Sequence, residues 1–206
     1  MIKPIVEGHG EVPALPVLLR RIAGERFGIW NPPLLTPGRY PASQLLRCED
    51  SIWVPGPGLI KAAGHAKNEG ATALLVLIDA DAADFCAKSA SESVRPAMVG
   101  ATGFDAASIV FAVREYEAWL LASAETLQDG ALIYPDDPEQ PRDAKGALER
   151  HLGLSFPYNA RTEQPAFSAK INLSLCHKRS RSFRKLTKDF KELLTACGMN
   201  PVESEM

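Results

Sequence analysis

The stretch Ala73-Leu74-Leu75-Val76-Leu77-Ile78-Asp79-Ala80-Asp81 decides the fold predicted for this chain. It begins with six consecutive apolar residues. Such a run predicts a central strand that is covered on both faces, because a half-exposed strand would alternate apolar with polar residues. A buried helix is the competing interpretation, since an apolar run alone does not separate the two.

Two carboxylates, Asp79 and Asp81, end this run. Residues two apart on a strand point to the same side, so both project together if the strand continues to Asp81. Open α/β sheets bind their ligands at this carboxyl edge. Neighbouring carboxylates repel each other unless they share a proton or bind a hard cation such as Mg²⁺, which makes a metal site the functional hypothesis. The alternative is that the two aspartates only end the strand and cap the next helix.

The bulk composition fits a globular protein with one sizeable core. The chain has 206 residues, of which 46% are hydrophobic and 23% charged, and these are ordinary values for such a protein. No apolar run reaches the roughly 20 residues of a membrane helix, and the N-terminus lacks a secretory signal pattern. We therefore expect a cytoplasmic protein without a membrane partner. The four cysteines include no C-x-x-C pair, so their spacing supports neither a zinc site nor a disulfide framework.

Charge is distributed unevenly along the chain. The net charge is −2, yet residues 177–191 carry seven Lys and Arg against one acid. Within this segment an amphipathic helix is predicted over 181–195. A solvated basic face is the simpler interpretation, and contact with a phosphate backbone is the functional alternative. The candidate nucleic-acid-binding residues are Lys178, Arg179, Arg181, Arg184, Lys185, Lys188 and Lys191.

A glycine-containing turn, Glu7-Gly8-His9-Gly10-Glu11, separates a predicted first strand over 2–6 from an amphipathic helix. This is the beginning of a dinucleotide-binding fingerprint, but Pro13 replaces the third glycine, which disfavours a nicotinamide or flavin site. The free N–H groups of a helix N-terminus can still bind a phosphate, with Gly8, His9 and Gly10 as the candidate residues. A loop histidine such as His9 more often has no such role.

Strands and helices alternate through the first part of the chain. A second strand is expected between residues 34 and 54, a helix over 59–69 closed by Gly70, and another apolar strand over 107–113. This order predicts an α/β fold, with a mostly parallel sheet and helices on both faces.

The last third of the chain is predicted to extend that core. Residues 129–143 predict a loop that holds Asp136, Asp137 and Glu139 in solvent. A short helix is expected over 144–152, and the basic helix follows it. We expect an α/β core over residues 1–125 and, packed on the same domain, a loop and C-terminal helical extension over 126–206.

Two motifs in this order, Val6-Glu7-Gly8-x-x-Glu11 and Asp79-x-Asp81, resemble the TOPRIM domain, a Rossmann-like fold. That domain is shared by topoisomerases, bacterial primases, small RNA-maturation nucleases and the OLD nucleases, and the resemblance covers roughly residues 2–120. Residues 114–121, 170–173 and 180–186 look like a stand-alone TOPRIM-like group that is related to the RloB-like proteins. Such proteins are often encoded beside an ATPase.

The resemblance implies a metal-dependent phosphotransfer fold and assigns roles by position. Glu7 is expected to be the catalytic acid/base or a metal ligand, and Asp79 and Asp81 are expected to hold Mg²⁺ or Mn²⁺. Glu11 matches the second metal-binding acid of the OLD-type nucleases, although an acid at this place can also simply complement the helix dipole. Glu117 is the candidate for a further metal ligand, with Glu115 behind it.

Cleavage by an activated water is the simplest assignment, because the chain has no room for the separate tyrosine-bearing domain of a topoisomerase. Positive charge at the reacting phosphorus is expected from Lys170, Lys178 or Arg179, with Lys170 as the candidate catalytic residue.

Three hypotheses of function follow. The leading one is a Mg²⁺-dependent nuclease that acts on DNA or RNA, as the effector of an ATPase-coupled defence system. The second is a non-catalytic metal-binding partner or regulatory subunit of an ATPase. The third is a small-molecule phosphotransferase or a nucleotide-binding protein on a similar sheet.

Overall fold

The structure is a computed structural model that describes residues 1–50, 52–80 and 87–203. Its strands are β1 (Ile2–Val6), β2 (Gly38–Arg39), β3 (Leu46–Glu49), β4 (Ile52–Pro55), β5 (Ala73–Ala80) and β6 (Ala106–Val113). Four of them form a sheet in the order β2-β1-β5-β6, and every neighbouring pair in it is parallel. Strands β3 and β4 form a separate antiparallel hairpin.

Helices connect and follow these strands. The helices are α1 (Glu11–Arg21), α2 (Ala42–Leu45), α3 (Pro57–Asn68), α4 (Ala87–Thr102), α5 (Glu117–Leu121), α6 (Ala144–Leu152), α7 (Ala160–Ser168), α8 (Leu173–Arg179) and α9 (Arg181–Ala196). A π-helical turn, Ile22–Arg26, continues α1. Side-chain oxygens of Asp143, Asn159, Asn172 and Ser180 accept hydrogen bonds at the starts of α6, α7, α8 and α9, which explains why these helices begin where they do.

The two faces of β5 pack into two separate hydrophobic cores. Leu75 and Leu77 belong to the core that α1 and the C-terminal helices build. Leu74 and Val76 belong to the core beneath α3 and α4. Burial on both sides explains the uninterrupted apolar run, and it confirms the predicted α/β class with a mostly parallel sheet. By the same alternation Asp79 points to the side of α1 and the C-terminal helices.

The basic helix α9 lies on the sheet, antiparallel to the strands. The indole N–H of Trp119, at the start of the C-terminal helices, donates to the Ser182 hydroxyl over 2.8 Å. At the other end of α9, the Cys197 sulfur lies 3.5 Å from the hydroxyl of Thr72, which precedes β5. Helix α9 therefore begins near the carboxyl edge of the sheet and ends near its amino edge.

The prediction that Glu139 is solvated is wrong. Its side chain is buried, and Oε1 accepts hydrogen bonds from the Ser180 hydroxyl at 2.6 Å and from the Ser182 N–H at 2.7 Å. These donors belong to the buried start of α9, so Glu139 satisfies backbone and hydroxyl groups that would otherwise have no partners there. Asp136 and Asp137 are exposed, as predicted.

Within the described residues, no helix is both long enough and apolar enough to cross a membrane.

Candidate functional site

Three neighbouring strands end beside one another and carry acidic residues past their ends. Val6 pairs with Leu77 in the parallel ladder, so Glu7 follows β1 directly beside the end of β5. Asp79 pairs with Ala112 of β6, and Glu115 and Glu117 follow that strand. Because the strands are parallel, all of these residues lie at the carboxyl edge of the sheet.

Asp79 is the centre of this acidic group. Burial raises the pKa of the Asp79 carboxyl well above its ordinary value, and the negative charges of Glu11, Glu117, Glu7 and Glu115 raise it further. The backbone N–H of Tyr116 donates to Asp79 Oδ1 over 3.1 Å, which fixes the orientation of the carboxylate. Asp79 is partly exposed, whereas the residues before it in β5 are buried.

Glu11 folds back onto the turn that precedes its helix. Its Oε2 accepts the backbone N–H of Glu7 at 3.1 Å and that of Gly8 at 2.8 Å. Burial is the main cause that raises the pKa of Glu11 to about 7, with repulsion from Glu7 and Glu117 adding to it. A Cβ atom on Gly8 would lie 2.6 Å from Glu11 Oε1, so a side chain at this position would force the carboxylate to shift. Glu11 is therefore an inward-facing acid and not a surface acid that merely complements the helix dipole.

Glu117 is held by residues from the C-terminal part of the chain. It is buried at the start of α5, and its Oε1 accepts a hydrogen bond from Gln164 Nε2 on α7 over 3.0 Å. Burial is the largest cause that raises the pKa of Glu117, and repulsion from Glu115 adds to it. Burial and the neighbouring charge of Glu117 also raise the pKa of the Tyr158 phenol. Helix α7 and the segment before it thus close one side of the acidic group.

Sequence reasoning missed Tyr158 and Gln164 as parts of this site. Both lie in a polar stretch of the last third of the chain, more than 40 residues after Glu117 in the case of Gln164. No local pattern marks them, and only the packing of α7 against α1 brings them to the carboxylates.

The glycine turn is more enclosed than we expect of a phosphate-binding site. Gly10 is buried, and a Cβ atom there would overlap the side chain of Gln164 and the backbone of Ala160. The N–H groups of Glu7 and Gly8 already donate to Glu11. These contacts leave Gly8 and Gly10 with a packing role.

Two arginines lie near the exposed side of the glycine turn. His9 is exposed, and the positive charge of Arg39 is the largest cause that lowers its pKa, followed by burial and by Arg161. The Arg39 guanidinium donates to the Glu7 carbonyl over 3.4 Å. His9 is therefore neutral near pH 7, and the rim of the acidic site carries the charges of Arg39 and Arg161. Sequence reasoning singled out neither arginine.

The predicted catalytic residue Lys170 lies elsewhere. Helix α7 begins beside Gly10, and Lys170 follows its other end, where Nζ donates to the carbonyl of Leu127 over 3.3 Å. Its role as a catalytic residue gains no support from this position.

Several of the predicted nucleic-acid-binding residues have partners within the protein. Arg179 pairs with Glu125 at 2.7 Å and donates to the Ala122 carbonyl at 2.9 Å. Arg184 donates to carbonyls at the end of α8, Lys185 pairs with Asp189, and Lys191 pairs with Glu203. The remaining members of the set, Lys178, Arg181 and Lys188, are exposed.

The predicted metal ligands are only partly described. Among residues 1–50, 52–80 and 87–203, no group of three or more His, Cys, Asp or Glu side chains is arranged to hold a metal ion. Asp81 lies outside the described residues. The donor chemistry nonetheless fits a hard divalent cation, because Glu7, Glu11, Asp79 and Glu117 offer carboxylate oxygens and repel one another. Glu11 and Glu117 each have one oxygen bonded to protein donors.

Comparison with known protein families matches residues 6–191 to a domain of unknown function, DUF4276. A search of curated proteins and a search of solved structures returned no match. The matched region includes the described acids of the carboxyl edge, namely Glu7, Glu11, Asp79, Glu115 and Glu117, and extends into α9. Because it covers most of the 206 residues, the chain belongs to the DUF4276 family.

Proposed function

We propose that this protein hydrolyses phosphodiester bonds in nucleic acid with the help of a divalent cation, in the manner of a TOPRIM-type nuclease. The observation that supports the proposal most is the convergence of Glu7, Glu11, Asp79 and Glu117 at the carboxyl edge of a parallel sheet. This edge is where sheets of this class bind their ligands. Mutual repulsion among the four carboxylates favours the binding of a cation.

Mg²⁺ or Mn²⁺ is the cation proposed for this site, with Asp79 and Glu7 as its first candidates for ligands. Glu11 and Glu117 line the same site, and Asp81 joins the set by its position in the sequence. A bound divalent cation would neutralise phosphate charge and lower the pKa of a coordinated water.

The surrounding residues support this chemistry through position and charge. The Tyr116 N–H and the Gln164 amide orient Asp79 and Glu117, so these carboxylates are held in place before a ligand arrives. Arg39 and Arg161 at the rim attract a polyanion toward an otherwise negative site. Nucleic acid as the substrate and coupling to an ATPase in defence rest on the sequence resemblance. A cytoplasmic location is proposed from the composition of the chain.

The test is cleavage of plasmid DNA and of RNA by the purified protein, with Mn²⁺ or Mg²⁺ and with EDTA. We expect cleavage that depends on the cation, and a loss of at least about 100-fold in rate for Asp79→Asn, as for other groups that stabilise transition-state charge. Asp136→Asn is the matched control, because it makes the same chemical change at an exposed loop position. Equal rates for wild type and a folded Asp79→Asn variant would overturn the assignment of the site.

A further inference from the structure

A second charged site lies at the far end of α1. A cavity of about 350 Å³ opens between the π-helical turn, α8, α9 and the C-terminal segment. Four cationic side chains line it, namely Arg26, Arg184, Lys188 and Lys191. Two carboxylates, Glu192 and Glu203, also line it, so positive charge is in excess.

Arg26 is the residue that points to a ligand. Only 9% of its surface is exposed, and its Nη1 is buried without a hydrogen-bond partner in the described part of the chain. A buried charged donor without a partner is costly, so proteins normally supply one. His177 lies in the same cavity, and its Nδ1 is buried and likewise has no hydrogen-bond partner among the described residues.

The carboxylates in the cavity do not cancel this charge. Glu192 pairs with Arg95, which is not among the lining residues, at 3.3 Å. Glu203 forms an ion pair of 2.8 Å with Lys191, and the positive charge of Arg26 also contributes to its lowered pKa. The C-terminal segment is attached there by a hydrogen bond of 3.3 Å from the Val202 N–H to the Phe27 carbonyl. Glu203 thus places one carboxylate in the cavity, and the cavity still has hydrogen-bond donors without an acceptor.

We propose that this cavity binds a phosphate group, which displaces the carboxylate of Glu203. A phosphate accepts more hydrogen bonds than a carboxylate, and a guanidinium such as that of Arg26 binds it through two parallel N–H donors. Arg26 and Glu11 lie near opposite ends of one continuous helical segment, roughly 20 Å apart at 1.5 Å per residue. The cavity is therefore separate from the acidic edge, and the proposal does not depend on the nuclease hypothesis.

The experiment measures binding of inorganic phosphate to the full chain in EDTA by titration calorimetry. Glu203→Gln removes the competing charge, and we expect it to bind phosphate at least about fivefold more tightly than wild type. Lys188→Ala, made in the Glu203→Gln background, is expected to weaken binding by a similar factor. Lys61→Ala in that background is the control, because Lys61 is exposed on α3, on the opposite face of the sheet.

A 5′-phosphorylated dinucleotide, titrated in parallel, distinguishes free phosphate from a nucleotide phosphate as the source. Arg26→Lys keeps the charge but removes the two-pronged donor, and it is expected to weaken binding without loss of the folded state. Equal phosphate affinity of wild type and Glu203→Gln, or equal losses for Lys188→Ala and Lys61→Ala, would overturn the proposal.

Discussion

The acidic edge of the sheet and the basic segment of α8 and α9 distribute charge in opposite ways. At the edge, the charges that raise the pKa of Asp79 are those of other carboxylates. In the basic segment, Lys185 pairs with Asp189, and Arg179 pairs with Glu125. A run of like charges in the sequence is thus partly neutralised in the fold, since Arg179, Lys185 and Lys191 pair with carboxylates. Acids that are far apart in the sequence instead form a concentrated site, the kind of arrangement that typically marks function.

The largest expected effect concerns the hydrogen bonds between Glu139 and the start of α9. Glu139→Ala removes the acceptor of three hydrogen bonds, from the Ser180 hydroxyl and from the N–H and hydroxyl of Ser182. We expect the free energy of unfolding to fall by about 3 kcal/mol, since buried donors at the start of α9 lose their partner. Urea unfolding measures this change. Asp136→Ala, in the exposed part of the same loop, should change stability by less than about 0.5 kcal/mol, and equal effects would contradict the anchoring role.

The second prediction makes the same change, Asp to Asn, at Asp79 in the acidic edge and at Asp189 in the basic segment. Asp79→Asn keeps an acceptor for the Tyr116 N–H and removes a repelled charge, so in EDTA at alkaline pH it should raise stability by about 1 kcal/mol. Asp189→Asn weakens the bonds from Ser108 and Lys185, and it should lower stability by about 1–3 kcal/mol. Thermal unfolding of both variants shows whether each substitution raises or lowers the stability of the protein. A destabilised Asp79→Asn would show that this carboxylate is compensated after all.

The third prediction uses the pH dependence of stability at the acidic edge. Glu11 has a pKa of about 7 in the folded protein against an ordinary value of 4.5, so the folded state binds the extra proton between these values. Stability must therefore fall as pH rises through this window, by about 2–3 kcal/mol between pH 5 and 8.

The measurement is urea unfolding in EDTA at several pH values between 5 and 8, for wild type and for Glu11→Gln. The difference between the two profiles reports Glu11 together with Asp79, whose pKa the charge of Glu11 raises, whereas a distant group such as His177 contributes equally to both profiles. A difference that does not change with pH would contradict the raised pKa.

The smallest expected effect concerns two cations of α9. Arg181 is exposed, and Arg181→Ala should change stability by less than about 0.5 kcal/mol. Lys185 pairs with the buried Asp189, and Lys185→Ala should cost about 1 kcal/mol. Thermal unfolding of the two variants compares them directly. Equal costs would mean that the pairing with Asp189 adds nothing to the stability of the segment.

Several elements were predictable because their signals are local. The apolar run of β5 indicated a strand buried on both faces, and the structure gives it as Ala73–Ala80. The helical spacing of Phe183, Leu186 and Phe190 predicted α9, which spans Arg181–Ala196. Glu7 and Asp79 were predictable as neighbours, since residues that follow parallel strands meet at one edge.

Other features were not predictable from any single segment. The solvated position expected for Glu139 followed from its Asp- and Pro-rich surroundings, but α9 returns to that loop and buries it. The partners of Arg179 and Lys191 were also hidden, because Glu125 and Glu203 lie outside α8 and α9.

The sequence by itself determined the strands β1, β5 and β6, the helices α1, α3, α6 and α9, and the edge at which acidic residues would gather, because hydrophobic periodicity and the direction of parallel strands act over short stretches. It predicted one strand between residues 34 and 54, where the structure has β2, β3 and β4. Only the tertiary structure decided that Tyr158 and Gln164 reach Glu117, that Arg39 and Arg161 surround the turn, and that Arg26 enters a basic cavity. These contacts join residues far apart in the chain, and they exist because α7, α8 and α9 bury their apolar faces against the sheet and α1.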